Sequence, residues 1–161
     1  MSQLAKYLWI AFISMVPLIE LRGAIPVSQA MGLPLVPSYA VCIIANMVPV
    51  PFVYLFAHKL LVWAKDKPAL GSFANFVLDK GERGGQKLMK TAGEYGTFIA
   101  LFLFVAIPVP GTGAYTGTLA ASILELGFRK SVVAVLLGVM TAGVIMGLVS
   151  AGVFGAIGAL G

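Results

Sequence analysis

Four apolar stretches of unequal length constrain what this chain can build. Residues 38–63 and 131–155 are each long enough to cross a bilayer as a helix, which takes about 20 residues. Residues 4–19 are not, because as a helix they rise about 24 Å against a hydrocarbon core of about 30 Å. Residues 97–107 are shorter still. Each short stretch runs into a break. Pro17 precedes Glu20-Leu21-Arg22-Gly23-Ala24-Ile25-Pro26, and residues 97–107 lead into Pro108-Val109-Pro110-Gly111-Thr112-Gly113. The expected pattern, twice over, is a short apolar segment, a break, a short return and a full span.

Composition agrees with a membrane setting. Hydrophobic residues make up 60% of the chain and charged residues 11%, where a soluble domain carries about 25% charged. The 161 residues leave room for one membrane domain. The net charge of +5 reads as topology signal and contact with anionic lipid rather than nucleic-acid binding, since the basic residues cluster beside apolar segments. One cysteine, Cys42, and one histidine, His58, make a zinc or iron–sulfur site an unpromising reading, and no cofactor is expected. The apolar N-terminal run reads as a retained segment rather than a cleaved signal, because Glu20 and Arg22 interrupt it.

The expected fold is all-α integral membrane with two inverted repeats, each a re-entrant helical hairpin plus a transmembrane helix. The parts are hairpin 1 (1–37), a transmembrane helix (38–63), an interfacial amphipathic segment (64–96), hairpin 2 (97–128) and a second transmembrane helix (131–155). Short, Gly/Pro-interrupted segments at corresponding positions of two halves point to inverted-repeat transporters and to a site near midplane. In this topology Lys59, Lys65, Lys67, Lys80, Arg83, Lys87, Lys90, Arg129 and Lys130 share one face, and Lys6 alone takes the other. The positive-inside bias then makes segment 64–96 cytoplasmic and both termini external. Four ordinary spans are the competing topology.

The chemistry should lie at the breaks. Glu20 and Arg22 each cost roughly 2.5–3.5 kcal/mol at the centre of a membrane helix, so a purpose is expected. Glu20 is the candidate proton or cation acceptor, and Arg22 the candidate for an anionic group. A purely structural alternative has them holding the fold through backbone carbonyls, Lys6 or Thr112. Their helix is expected to break between Glu20 and Pro26, with Gly23 and Pro26 as the cause. In the second half Pro108, Pro110, Gly111, Thr112, Gly113 and Tyr115 are the candidates: prolines stop the helix, glycines free backbone groups and the hydroxyls line a cavity. Asn46, near mid-span, is expected to hydrogen-bond a neighbouring helix. Gly143, Gly147, Ala151 and Gly155 recur every four residues and read as a close-packing face, within the chain or between copies in a homo-oligomer.

Glu20-Leu-Arg-Gly-Ala-Ile-Pro26 and Pro108-Val-Pro-Gly-Thr-Gly-Ala-Tyr-Thr-Gly117 carry a resemblance to the small multi-drug export protein family of prokaryotic membrane proteins, covering about residues 9–150. That family in turn resembles the DedA (SNARE-associated, VTT-domain) superfamily, which implies two opposed re-entrant hairpins and lipid movement, including polyprenyl phosphate. Glu20 and Pro26 match the acidic and proline positions of its first hairpin, and Pro110-Gly111 the Pro-Gly of its second. Ile107 and Gly113 stand where that second hairpin carries arginines, which leaves Arg22 as the only arginine at depth.

The expected function is transport of an amphipathic compound, an organic cation or a lipid, through a midplane site in a prokaryotic cell membrane, with Glu20 coupling proton movement. The alternatives are a flippase or scramblase for a phosphorylated lipid and a non-transporting membrane scaffold. An enzyme is not expected, because no nucleophile–base pair or metal set is visible.

Overall fold

The computed structural model describes residues 2–68, 70–109 and 112–160, and all of its elements are helices. They are α1 (Gln3–Met15), α2 (Glu20–Ala30), α3 (Leu35–Met47), α4 (Pro49–Ala64), α5 (Gly71–Ala106), α6 (Ala114–Ile123) and α7 (Phe128–Leu160).

Helix α1 starts at Ser2, whose hydroxyl accepts from the Ala5 amide at 3.3 Å. It stops at Val16, which is forced into extended geometry (φ −75°, ψ 123°) by the proline that follows. Helix α2 then runs unbroken from Glu20 through Pro26 to Ala30, so the break falls at residues 16–19 and not between Glu20 and Pro26 as the sequence suggested. Proline does interrupt the hydrogen-bond ladder, since it has no N–H for the Arg22 carbonyl, but packing holds the helix across that gap. Gly32, at φ 70°, ends α2 with the Leu33 amide on the Ser28 carbonyl at 3.0 Å.

Helices α3 and α4 join through Val48, which keeps helical geometry (φ −56°, ψ −47°). Together they form a 30-residue apolar rod, Leu35–Ala64, whose most apolar 18-residue stretch has mean hydropathy 2.1. Helix α5 merges two of the expected segments. Its one non-helical residue, Gly93 (φ 64°, ψ −175°), bends it between an amphipathic part and the apolar residues 94–106. The apolar part stops at Ile107, again extended (φ −75°, ψ 117°) before a proline. Helix α6 ends with Glu125 at φ 55° and the Leu126 amide on the Ala121 carbonyl at 2.9 Å. Helix α7 contains the second apolar rod, Phe128–Val153, whose most apolar 18-residue stretch has mean hydropathy 2.6. By length and composition three helices among the described residues can cross a membrane, Gly71–Ala106 being the third.

Helix α1 packs on α2 and α3, while α5 packs on α7 and α6. The return helices cross over: α2 lies against α7 of the other half, and α6 against α4. The core this creates includes Ile10, Leu21, Ile25, Cys42, Val50, Val105, Val135 and Val139. Large apolar side chains such as Leu8, Phe12, Ile44, Phe56 and Leu148 stay exposed, as suits a surface solvated by lipid.

Gly143 and Gly147 belong to this internal packing. A Cβ on Gly143 would lie 2.5 Å from the Tyr39 ring, and one on Gly147 3.5 Å from Leu35. Both glycines therefore face α3 within the chain, and at Gly143 the approach is too close for a Cβ. Ala151 is exposed and Gly155 faces open space.

Candidate functional site

A helix that stops leaves N–H and C=O groups without intrahelical partners. The second break does this between Ala106 and Ala114, and the side chains that take these groups come from the start of α2. Arg22 donates to the Val105 carbonyl at 2.9 Å, to Ile107 at 3.1 Å, to Val109 at 2.6 Å and to the Thr112 hydroxyl at 3.2 Å. Glu20 takes the opposite side of the same gap. Its Oε2 accepts from the Ala114 amide at 3.0 Å and its Oε1 from the Tyr115 amide at 3.1 Å.

The electrostatics are matched. A guanidinium sits on the carbonyl-rich end of α5 and a carboxylate on the amide-rich end of α6, each opposite in sign to the partial charge it meets. Glu20 is 4% exposed, and Arg22 is half-buried. They do not pair directly, since no Glu20–Arg22 contact falls within ion-pair distance.

The local backbone aims them. Leu18 (φ 75°) and Glu20 (φ 53°) both occupy the left-handed region, which costs an L-residue roughly 1–2 kcal/mol each. Leu18 is 85% exposed and gains no packing in return. The turn is held by the Glu20 amide on the Val16 carbonyl at 3.0 Å and by the Tyr115 hydroxyl, which donates to the Met15 carbonyl.

Gly113 is required by close approach: a Cβ there would lie 2.3 Å from Glu20 Oε2. Its amide donates to the Thr116 hydroxyl at 3.1 Å, leaving the next two amides for Glu20. Thr112 also has the loop carbonyls of Ile107 and Val109 within reach, both at 2.9 Å, and its one hydroxyl proton serves one or the other. Gly23 lets Ile19 pack closely, with a Cβ there 2.4 Å from Ile19 Cγ2. Pro108 is half-buried in the turn. Pro26 lies further along α2 and makes no polar contact with the break. Pro110 and Gly111 lie outside the described residues.

Asn46 is the outlier. It is 1% exposed, and its Oδ1 finds no hydrogen-bond partner among the described residues, where the sequence predicted an interhelical bond. It faces a gap shared with Glu20, Arg22 and Val139, about 160 Å³ of empty volume with no part wide enough for a water molecule. The breaks thus meet by direct hydrogen bonds, and the expected cavity between them is closed. His58 lies apart at the end of α4, 3.8 Å from Glu125.

Sequence reasoning named the charged residues, the second turn and, in its structural alternative, backbone carbonyls and Thr112 as partners; it did not say which carbonyls, those of Val105, Ile107 and Val109, or that the Ala114 and Tyr115 amides take Glu20. The signal was there, because a Pro/Gly break must expose such groups on both sides.

Neither the curated proteins nor the solved structures provide a match to this chain. The protein-family comparison does. A family described as "Putative small multi-drug export protein" matches residues 20–145, a stretch that begins at Glu20, just after the first break, and takes in the second break and just over half of α7, and the chain belongs to that family.

Proposed function

We propose that the chain is a transporter that moves an amphipathic compound between two opposed re-entrant hairpins, residues 3–30 and 94–123, in a prokaryotic cell membrane. The observation that carries this reading is the cross-capping of one break by the other. Substrate can pass between the tips only if Glu20 and Arg22 let go of the second break. Protonation of Glu20 supplies a trigger, because a neutral carboxylic acid holds two amides far less strongly than a carboxylate does. Asn46, buried with an unmatched oxygen beside the pair, is a ready alternative partner for Arg22 as the tips part.

Several features support two related halves. Val16 and Ile107 share one conformation before a proline. Gly32 and Glu125 end α2 and α6 with the same left-handed closure. Each return helix packs on the long helix of the other half. With the halves opposed in the membrane, the basic segment 64–96 is cytoplasmic and the N-terminus external. A reporter fused to the N-terminus tests this, and a cytoplasmic signal would overturn the topology.

The reading assigns no catalytic step and no cofactor. A DedA-like flippase for a phosphorylated lipid, with Arg22 on the phosphate, draws less support, since that guanidinium is already bound to four acceptors. In proteoliposomes with an imposed pH gradient, Glu20→Gln is expected to abolish the pH dependence of export of a lipophilic cation. Unchanged rate and unchanged pH dependence would refute the coupling role.

A further inference from the structure

A cleft of about 520 Å³ opens where α5 bends at Gly93 and meets the start of α7. This is within the range of ligand pockets, and it is separate from the two breaks. Its floor is apolar, made by Phe98, Leu101 and Leu126, and its rim carries Glu94, Arg129 and Lys130.

Most of the polar groups in the cleft are already used. Thr97 donates to the Gly93 carbonyl at 2.8 Å and Ser131 to the Leu126 carbonyl at 3.2 Å. The Glu94 carboxylate accepts from the Lys130 ammonium. What remains is the Arg129 guanidinium, exposed and without a partner among the described residues, together with the first-turn amides of α7, which no intrahelical carbonyl can take. Both favour an anion, and a guanidinium fits phosphate oxygens in pairs.

We infer that this cleft binds one anionic phospholipid, with its phosphate on Arg129 and the first turn of α7 and an acyl chain along Phe98 and Leu101. A free phosphate would leave the apolar floor unused. A zwitterionic headgroup would bring its own cation against Arg129. The cleft also lies where the chain passes from the basic stripe of Arg83, Lys87 and Lys90 to the apolar end of α5, the depth of a headgroup. A lipid seated there spans the Gly93 bend and braces the base of the second helix pair against α7.

Native mass spectrometry of the detergent-purified full chain tests this with phosphatidylglycerol and phosphatidylcholine at equal concentration. One phosphatidylglycerol should be retained in preference. Arg129→Gln should weaken its retention about tenfold, the size of one charge-assisted contact. Glu94→Gln, which frees Lys130, should strengthen it, whereas Glu82→Gln, the same change in net charge elsewhere, should not. Both Arg129 and Glu94 are exposed, so neither substitution threatens folding. Equal retention of the two lipids, wild-type retention by Arg129→Gln, or equal gains from Glu94→Gln and Glu82→Gln would overturn the proposal. So would displacement of the lipid by millimolar inorganic phosphate, which would mark a bare anion site.

Discussion

The two breaks share a trigger and differ in everything else. Both begin with a β-branched residue made extended by a proline, Val16 before Pro17 and Ile107 before Pro108. The first then turns through two strained non-glycine residues and presents two charges. The second offers no charge, only exposed carbonyls and amides and a glycine small enough to let a carboxylate approach. One break carries the side chains and the other the backbone groups that need them. An intramembrane charge is costly, and so is an unsatisfied backbone group in hydrocarbon. Placing them against each other offsets both costs, and makes each half of the molecule incomplete without the other.

This division can be broken from either side. Arg22→Met should have the largest effect: it strands the buried Val105 carbonyl and removes the charged donor from those of Ile107 and Val109, which keep only the one Thr112 proton between them. The loss of stability should be about 3 kcal/mol, given roughly 1–3 kcal/mol per unsatisfied buried group and roughly 1.5–3 kcal/mol per charged hydrogen bond. Denaturant unfolding in detergent reads this, and Arg22→Lys should recover only part, because an ammonium cannot span the same set of acceptors. Stability equal to wild type would mean the second break does not depend on the first.

Glu20→Ala should cost about 2 kcal/mol, the upper end for loss of a helix N-cap. Hydrogen exchange at Ala114 and Tyr115 should rise while α3 and α4 stay protected. Uniform change across the protein would argue against a local cap.

Gly113→Ala attacks the contact from the backbone side. The added methyl must displace the Glu20 carboxylate, and about 1–2 kcal/mol is expected, as for overpacking in a tight core. If the carboxylate is its target, the penalty should shrink in a Glu20→Ala background. Simple additivity would point elsewhere.

The smallest effect sharpens the comparison in the opposite direction. Leu18→Gly relieves a left-handed leucine that packs against nothing, and should stabilise by up to about 1 kcal/mol. A loss of stability would show that the exposed leucine is held by something outside the chain, such as lipid.

Much of this was legible in the residues. Apolar lengths separated the short segments from the full spans, and the observed rods Leu35–Ala64 and Phe128–Val153 lie close to the expected 38–63 and 131–155. The position of the first break was misread, because Gly23 and Pro26 look like helix breakers while tertiary packing carries α2 through both. Segment 64–96 was expected to be separate from the apolar residues that follow, and the non-helical Gly93 (φ 64°, ψ −175°) divides α5 close to that boundary. The glycine repeat was visible, but only the fold shows that Tyr39 and Leu35 fill the space at Gly143 and Gly147.

By itself the sequence determined that the chain is a helical membrane protein, that its two longest apolar runs are helices, and that Glu20 and Arg22 stand where charge is costly. These follow from local quantities: run length, proline and glycine placement, and transfer cost. The tertiary structure alone decided what the charges do, because their partners lie more than 80 residues away. Apart from the Thr112 hydroxyl they are backbone atoms, which have no side-chain identity for a sequence to display.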